Sequence, residues 1–209
     1  MPNTPMNLPF SQACENNKQP IFEKLSQIFN QSEHILEIGA GTGQHGAYFA
    51  QQMLHLTWQC SDQPHYLDGL NLRIAASKLA NLPLAVAADV ANPNEQLLQQ
   101  RFDGIYTANT LHIMNKALVA RFFALAEQLI KPNGSLCIYG PFNYHGQYSS
   151  DSNRDFDQWL LARDPNSAIR DIEWVVQLAT THGFVMQQDH AMPANNRLLH
   201  FNAIASAAQ

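Results

Sequence analysis

The sequence is poor in charged residues, in basic clusters and in long apolar runs, and each shortage excludes a class of protein. Only 14% of its 209 residues are charged, and the formal net charge is -5. No run of Lys and Arg forms the basic surface that a nucleic-acid partner requires. No apolar stretch approaches the ~20 residues of a membrane span. We therefore expect neither a nucleic acid nor a membrane as partner.

Cysteine is also scarce, and the few thiols form no recognisable pattern. Cys14, Cys60 and Cys137 are odd in number and widely spaced, without a CxxC pair or a disulfide framework. The N-terminal MPNTPMNLPF lacks the basic segment and apolar core of a signal peptide. These features predict reduced thiols and a cytoplasmic location. The nine histidines show neither HxxxH nor HExxH spacing, so no metal site is expected.

The length and the 45% hydrophobic content suit one well-packed domain. We expect residues 1–20 to form an N-terminal arm and the start of a helix, and residues 21–209 to form a single domain. Pro20 suits a first helical turn, and the apolar residues after it recur at helical spacing.

Strand-like and helix-like segments alternate along the middle of the chain. The strand-like runs are HILEIG, LTWQCSD, LPLAVAADV, FDGIYTAN and SLCIYGPF, each separated from the next by a helical segment. KPNG is expected to end the helix before SLCIYGPF, as Pro and Gly commonly do. This alternation predicts an α/β fold with a parallel sheet covered by helices on both faces.

The pattern changes after residue 142. NYHGQYSSDSNRDF is expected to form a long polar loop, and such loops in compact domains often bind ligands. A helix, IEWVVQLATTHG, precedes two strand-like runs, FVMQQDHAM and RLLHFNAIA. Because only PANN separates these two runs, they are expected to pair as an antiparallel hairpin.

The segment HILEIGAGTGQHGAYFAQ places alternating glycines where a strand passes into a helix. Glycine permits positive φ and removes the Cβ atom, and the helix directs N–H groups at the turn, so a polar ligand is expected. The G-x-G-x-x-G fingerprint of dinucleotide-binding proteins fits only if it starts at Gly41 and continues through Gly43 to Gly46. The strand would then have to end two residues later than expected. Asp62 follows Gly43 by about 20 residues and suits a ribose contact for either a dinucleotide or a methyl donor.

EIGAGTG resembles the E/D-x-G-x-G-x-G motif of class I S-adenosylmethionine-dependent methyltransferases. KPNG and the terminal hairpin are similar to the same superfamily. Further segments, among them GTGQH, YGPFNYHGQYSSDSN and MPANN, resemble an uncharacterised methyltransferase-like family that is labelled a domain of unknown function. The resemblance extends from about Ser11 to Phe201. It implies a Rossmann-like sheet of seven mostly parallel strands with a C-terminal antiparallel hairpin, S-adenosylmethionine as cofactor, and a cytosolic location.

The resemblance also implies a set of cofactor contacts, all at the carboxyl ends of strands, where open α/β sheets bind ligands. The glycines would pass beside the methionyl moiety, and Glu37 would support the loop and the ligand's amino group. Asp62 would accept the ribose hydroxyls, Asp89 would meet the adenine amino group, and Asn109 would lie near the methionine end. The implied cofactor-binding residues are Glu37, Gly39, Ala40, Gly41, Gly43, Asp62, Asp89, Val90 and Asn109.

Alignment and proximity alone can supply ~7–11 kcal/mol of a methyl-transfer barrier, so no catalytic side chain is required. A base helps when the acceptor is an alcohol, a phenol or a protonated amine. The candidates for a direct catalytic role are His112, Tyr139 and Tyr148. The candidates for substrate binding are Asn17, Lys18, His145, Asn153, Asn195 and Asn196.

Together these features predict an S-adenosylmethionine-dependent methyltransferase that acts on a small polar molecule. Two alternatives stay open on the sequence alone. One is a non-catalytic module that binds S-adenosylmethionine, and the other is an NAD(P)-dependent oxidoreductase.

Overall fold

The computed structural model describes residues 8–204, which form helices and strands in alternation. In chain order the elements are α1 (Gln12–Ile28), β1 (His34–Ile38), α2 (Gln44–Gln52), β2 (Thr57–Asp62), a 3₁₀ turn (Pro64–Tyr66), α3 (Leu67–Ser77), β3 (Val86–Ala87), α4 (Glu95–Leu98), β4 (Phe102–Ala108), α5 (Lys116–Leu129), β5 (Ile130–Gly140), β6 (Phe142–Asn143), α6 (Asp151–Arg163), β7 (Arg170–Asp171), α7 (Ile172–Thr181), β8 (Phe184–Ala191) and β9 (Arg197–Ala203).

Seven of these strands form one sheet in the order β3-β2-β1-β4-β5-β9-β8. The pairs from β3 to β5 are parallel, whereas β9 runs antiparallel to both β5 and β8. The predicted parallel sheet with a C-terminal antiparallel hairpin is therefore confirmed. β6 and β7 form a separate, short parallel pair.

Helices cover both faces of the sheet, and each face has its own core. One core packs α1, α2 and α3 against Ile35, Trp58 and Tyr106, while the other packs α5 and α7 against Leu36 and Ile105. Four successive residues of β1, from residue 35 to residue 38, are buried. This continuous burial is typical of a parallel strand covered on both faces.

Three local predictions were wrong in their extent. The expected polar loop at residues 143–156 gives way to α6 at Asp151, because the Ser150 hydroxyl accepts from the Asn153 N–H and caps a new helix. The expected strand at residues 82–90 is reduced to β3, an edge strand that pairs only with β2. The helix α5 ends just before KPNG, as predicted, but KPNG itself belongs to β5, which therefore begins earlier than the predicted SLCIYGPF. A register irregularity and a positive φ of 62° at Asn133 accommodate KPNG in the strand.

The N-terminal helix begins earlier than Pro20. Ser11 caps α1 by accepting from the Cys14 N–H at 3.4 Å, and α1 then continues through Pro20 without interruption. Residues 1–7 of the expected N-terminal arm lie outside the described residues. A single domain at residues 21–209 stays a prediction. Within residues 8–204, no helix combines the length and apolar character needed to cross a membrane.

Candidate functional site

A cavity of about 770 Å³ opens at the carboxyl ends of β1, β4 and β5. Residues of α1, of α6 and of the β8–β9 connection complete its walls. Its volume lies within the ~300–1,000 Å³ of small-molecule sites. The predicted site residues that line it are Asn17, Glu37, Gly39, Ala40, Gly41, Asn109, His112, Tyr139, Asn153 and Asn196.

The loop after β1, residues 39–43, forms one side of the cavity. Gly39, Gly41 and Gly43 have φ values of +76°, +54° and +71°, a region that L side chains rarely adopt. A Cβ atom at Gly39 would lie 2.6 Å from Thr110 Cγ2, and one at Gly43 would lie 2.5 Å from Leu70 Cδ1. A Cβ atom at Gly41 would meet no atom within 4 Å. Packing therefore requires two of the glycines, whereas Gly41 leaves space open at the cavity.

Glu37 is a buried carboxylate that lines the cavity beside this loop. Its side chain accepts from Trp58 Nε1 at 2.8 Å and from the Cys60 thiol at 3.5 Å. Burial raises the pKa of Glu37 to about 7, although the two hydrogen bonds oppose this shift. A cation in the cavity would favour the ionised form of Glu37.

Asp62 and Asp89 occupy the ends of neighbouring strands but do not line the cavity. Asp62 Oδ2 accepts from the Gly41 N–H at 2.6 Å, and its Oδ1 accepts from the Gln63 N–H at 2.7 Å. Asp62 thus holds the glycine loop, and burial raises its pKa. Asp89 accepts from the Ala91 N–H at 2.9 Å within a turn. Each carboxylate retains lone pairs for further donors.

A polar network connects α1 to the sheet beneath the cavity. His45 Nε2 lies 2.7 Å from Asn17 Oδ1, and its Nδ1 lies 3.4 Å from the Tyr106 hydroxyl. Burial lowers the pKa of His45 to about 4. Burial also raises the pKa of Tyr139, while hydrogen bonds to Asn17 and Asn196 oppose that rise. The structure thus brings Asn17, Tyr139 and Asn196 together, although they are distant in sequence.

His112 lies in the connection between β4 and α5 and lines the cavity. Its side chain is 6% exposed, and its ring makes no hydrogen bond to any residue from 8 to 204. Burial lowers the pKa of His112 to about 4, Arg170 lowers it further, and Asp157 opposes the shift. The ring is therefore neutral at pH 7 and offers a lone pair to a proton donor in the cavity.

The buried Arg170 holds the chain segment that carries His112, and the buried Asp157 holds the neighbouring Ile169. The Arg170 guanidinium donates to the carbonyls of Leu111, Met114 and Asn166. Asp157 Oδ1 accepts from the Ile169 N–H at 2.5 Å, and its Oδ2 accepts from the Tyr148 hydroxyl at 2.8 Å. Tyr148 is thereby placed in a supporting contact outside the cavity lining. Sequence reasoning missed both ions, because an isolated Arg or Asp in a polar stretch is usually solvated.

α6 closes the cavity and is held to the β8–β9 connection. Asn153 is 5% exposed, and its Nδ2 donates to the Ser149 hydroxyl at 2.8 Å and to the Asn195 carbonyl at 3.2 Å. The Asn195 amide donates to the Ser152 hydroxyl at 3.2 Å. Phe156, Trp159 and Leu160 of α6 also line the cavity and were not singled out from the sequence, because this segment was expected to begin as a loop.

Several predicted site residues lie away from the cavity. Lys18 pairs with Glu15 on the surface, and the exposed His145 pairs with Glu173. The predicted residues that do not line the cavity are Lys18, Gly43, Asp62, Asp89, Val90, His145, Tyr148 and Asn195. Among the described residues, no group of three or more His, Cys, Asp or Glu side chains is placed to hold a metal ion.

The buried Glu37 should make the stability of the protein depend on pH. Its folded pKa of about 7 exceeds its ordinary 4.5, so the native state binds this proton more tightly than the unfolded chain. The tighter binding of this proton stabilises the folded state fully below pH 4.5, and the stabilisation is lost as pH rises to about 7. The free energy of unfolding changes by about 3 kcal/mol over this range. We therefore expect the free energy of unfolding of Glu37→Gln, relative to that of wild type, to rise by about 3 kcal/mol from pH 4 to pH 8. Urea unfolding at the two pH values measures this difference.

The matched control for this measurement is Glu33→Gln, at an exposed position just before β1. It should follow the wild-type pH profile. If the free energy of unfolding of Glu37→Gln changed with pH in the same way as that of wild type, the raised pKa of the buried Glu37 would be contradicted.

Arg170 should be essential for the segment that carries His112. Arg170→Met leaves three carbonyl groups without their donor, and we expect the free energy of unfolding to fall by about 2–4 kcal/mol. Arg154→Met, on the exposed face of α6, is the control and should change stability by less than about 0.5 kcal/mol. Equal losses in the two variants, measured by urea unfolding at pH 7, would rule out the supporting role of Arg170.

Comparisons with solved structures agree with the observed architecture. An O-methyltransferase family protein from Burkholderia thailandensis superposes with a TM-score of 0.75 at 17% identity, over 91% of this chain and 57% of that one. The S-adenosylmethionine-dependent methyltransferase SibL, in its apo form, superposes with a TM-score of 0.78 at 16% identity, over 92% of this chain and 56% of SibL. PigF, solved with SAH, superposes with a TM-score of 0.74 at 12% identity, over 88% of this chain and 54% of PigF.

This chain spans little more than half the length of these proteins, and at such identities the likeness shows the fold alone. That fold is the Rossmann-like class I methyltransferase fold. A family profile gives the closer relationship, because residues 8–203 match the family described as "Protein of unknown function (DUF938)". Since the match spans nearly all of the sequence, this chain belongs to the DUF938 family.

Proposed function

We propose that this protein is an S-adenosylmethionine-dependent methyltransferase that acts on a small polar molecule. The observation that carries the proposal is that one cavity contains the open glycine position, the buried Glu37 carboxylate and the neutral His112. Methyl transfer needs space for the donor, and it is assisted by an anionic partner for the cationic end of the donor and, with a hydroxyl acceptor, by a proton acceptor. The named methyltransferases of the same fold support this choice of donor.

The residues of the cavity suit the methionine end of the donor. Gly41 leaves open space where any side chain would intrude, and Glu37 is a carboxylate whose ionised form a cationic ligand would favour. Asn109, with a positive φ of 58°, presents its side chain beside Gly140 at the end of β4. We place the ribose at Asp62 and the adenine beside Asp89 and Val90, where β2 and β3 end.

His112 is proposed as the proton acceptor. S-adenosylmethionine supplies a methyl group on a sulfonium, and its transfer to an acceptor hydroxyl leaves a thioether and releases one proton. The His112 ring is neutral at pH 7 and makes no hydrogen bond within residues 8–204, so its lone pair is available to that proton. Because its pKa is about 4, the ring is a weak base that holds the proton only transiently. Tyr139, Asn153 and Asn196 line the cavity and would orient the acceptor.

Filling the space at Gly41 should weaken binding of the donor. Asn tolerates positive φ, so Gly41→Asn should fold while its side chain enters the cavity. By calorimetry we expect S-adenosylhomocysteine to bind the variant at least about tenfold more weakly, or about 1.4 kcal/mol. Gly183→Asn is the matched control, because Gly183 also has a positive φ of +74° and open space around it but precedes β8 at the other end of the sheet.

Two results would contradict the proposed donor. One is unchanged affinity of Gly41→Asn for S-adenosylhomocysteine, and the other is no binding by the wild-type protein at millimolar ligand. Saturable NADH binding in place of S-adenosylhomocysteine binding would favour an oxidoreductase. Donor binding without any turnover over a broad acceptor library would favour a non-catalytic module.

Donor binding should also release a proton from Glu37. With a pKa of about 7, this carboxyl is about half protonated at pH 7, and a cation beside it lowers that pKa. S-adenosylmethionine should therefore release up to about half a proton at pH 7, and S-adenosylhomocysteine, which lacks the sulfonium charge, should release less. The release is measured by calorimetry in two buffers of different ionisation enthalpy. If Glu37→Gln released as many protons as wild type, Glu37 would not be the responsible group.

A further inference from the structure

The wall that α6 contributes to the cavity is aromatic. The rings of Phe156 and Trp159 both line it, with centroids 5.7 Å apart and planes inclined by only 19°. Trp159 is nevertheless 50% exposed. A large, half-exposed ring at the edge of a cavity provides apolar surface that a flat ligand can cover.

His112 continues this aromatic wall into the buried part of the cavity. Its ring packs edge-to-face against Phe156, with centroids 5.3 Å apart and planes at 77°. The residue is only 6% exposed, and its ring nitrogens make no hydrogen bond within residues 8–204. The described fully buried side-chain atoms that lack a hydrogen-bond partner are Asn143 Oδ1 and His190 Nε2, so the ring nitrogens of His112 are not among them. The His112 nitrogens are accessible from the cavity that His112 lines, and a hydroxyl of a bound molecule can donate to the ring there.

The charges around the cavity favour an uncharged acceptor. Glu37 is the only Asp, Glu, Lys or Arg among the described residues that line the cavity. No Lys or Arg side chain is therefore present in the lining to bind a phosphate or a carboxylate. The Arg163 guanidinium lies 4.5 Å from the centroid of the Trp159 ring. Arg170 is bonded to the segment that carries His112. Neither guanidinium lines the cavity, and that of Arg170 is already bonded to backbone carbonyls, so neither is placed to bind an anionic acceptor. The positive charge of the proposed methyl donor disfavours an ammonium acceptor.

We propose that the acceptor is a neutral, planar aromatic molecule that carries a hydroxyl group, a proposal that rests on the proposed function. Its ring lies against Phe156 and Trp159, and its hydroxyl donates to the unpaired nitrogen of His112. On methyl transfer, the S–C bond of the donor breaks and its electron pair stays on sulfur. A new O–C bond forms, the electrons of the O–H bond stay on oxygen, and the proton passes to His112.

The test uses full-length protein saturated with S-adenosylhomocysteine and titrated by calorimetry with naphthol, decahydronaphthol and naphthalene. We expect naphthol to bind at least about tenfold more tightly than its saturated counterpart, because aromatic contacts add to simple area burial. Trp159→Leu and Phe156→Leu should each remove most of this difference. His112→Phe should remove the preference for naphthol over naphthalene.

Leu161→Ala is the matched control, since Leu161 is an exposed residue of the same helix that does not line the cavity. This variant should bind naphthol as wild type does. Unchanged affinity for S-adenosylhomocysteine in all four variants would show that each of them folds.

The outcomes separate this inference from the proposed function. If S-adenosylhomocysteine binds but naphthol and decahydronaphthol bind equally, the aromatic acceptor is excluded and the methyl donor stands. Loss of naphthol affinity in Leu161→Ala to the same degree as in Trp159→Leu would also exclude the aromatic wall as the binding surface. If wild-type protein binds no S-adenosylhomocysteine, both proposals fall.

Discussion

The pairing of β1 between β2 and β4 is the constraint on which the candidate site depends. This register places Glu37 of β1 opposite Cys60 of β2 and Tyr106 of β4, in one row beneath α2. Where β1 ends, the N–H groups of Gly39 and Ala40 both donate to the Ser61 carbonyl at 3.0 Å, so the end of β2 fixes the start of the glycine loop. A shift of one residue would turn Glu37 toward the opposite core and away from the cavity.

The burial of two titratable side chains connects stability with function in this protein. Glu37 and His112 have both lost most of their contact with water, and burial shifts their pKa values in opposite directions, to about 7 and about 4. At pH 7 His112 is consequently neutral and Glu37 is about half protonated, in a cavity that holds no Lys or Arg among its described lining residues. Such groups destabilise the free protein relative to apolar replacements, and a ligand that pairs with them recovers that free energy.

The amino-acid sequence by itself determined those features that depend on short-range pattern. The alternation of strand-like and helical runs predicted the buried strands β1, β2, β4 and β5, because parallel strands covered on both faces are rich in apolar residues. The alternating glycines of the 39–43 loop indicated a ligand-binding turn, and the short PANN connection predicted the antiparallel pairing of β8 with β9. Each of these signals lies within a few neighbouring residues, so no knowledge of distant contacts was needed.

Only the tertiary structure decided which polar side chains face the cavity. Asn17, Tyr139 and Asn196 come from α1, β5 and the β8–β9 connection, and they meet because the sheet order places β9 beside β5. Tyr148 was an equally reasonable candidate in sequence, yet its hydroxyl donates to Asp157 and not into the cavity. The start of α6 was not predicted, because its polar sequence gives only a weak apolar pattern. Phe156 and Trp159 line the cavity only because the fold packs this helix against His112. These outcomes depend on contacts between residues far apart in the chain, which local periodicity does not encode.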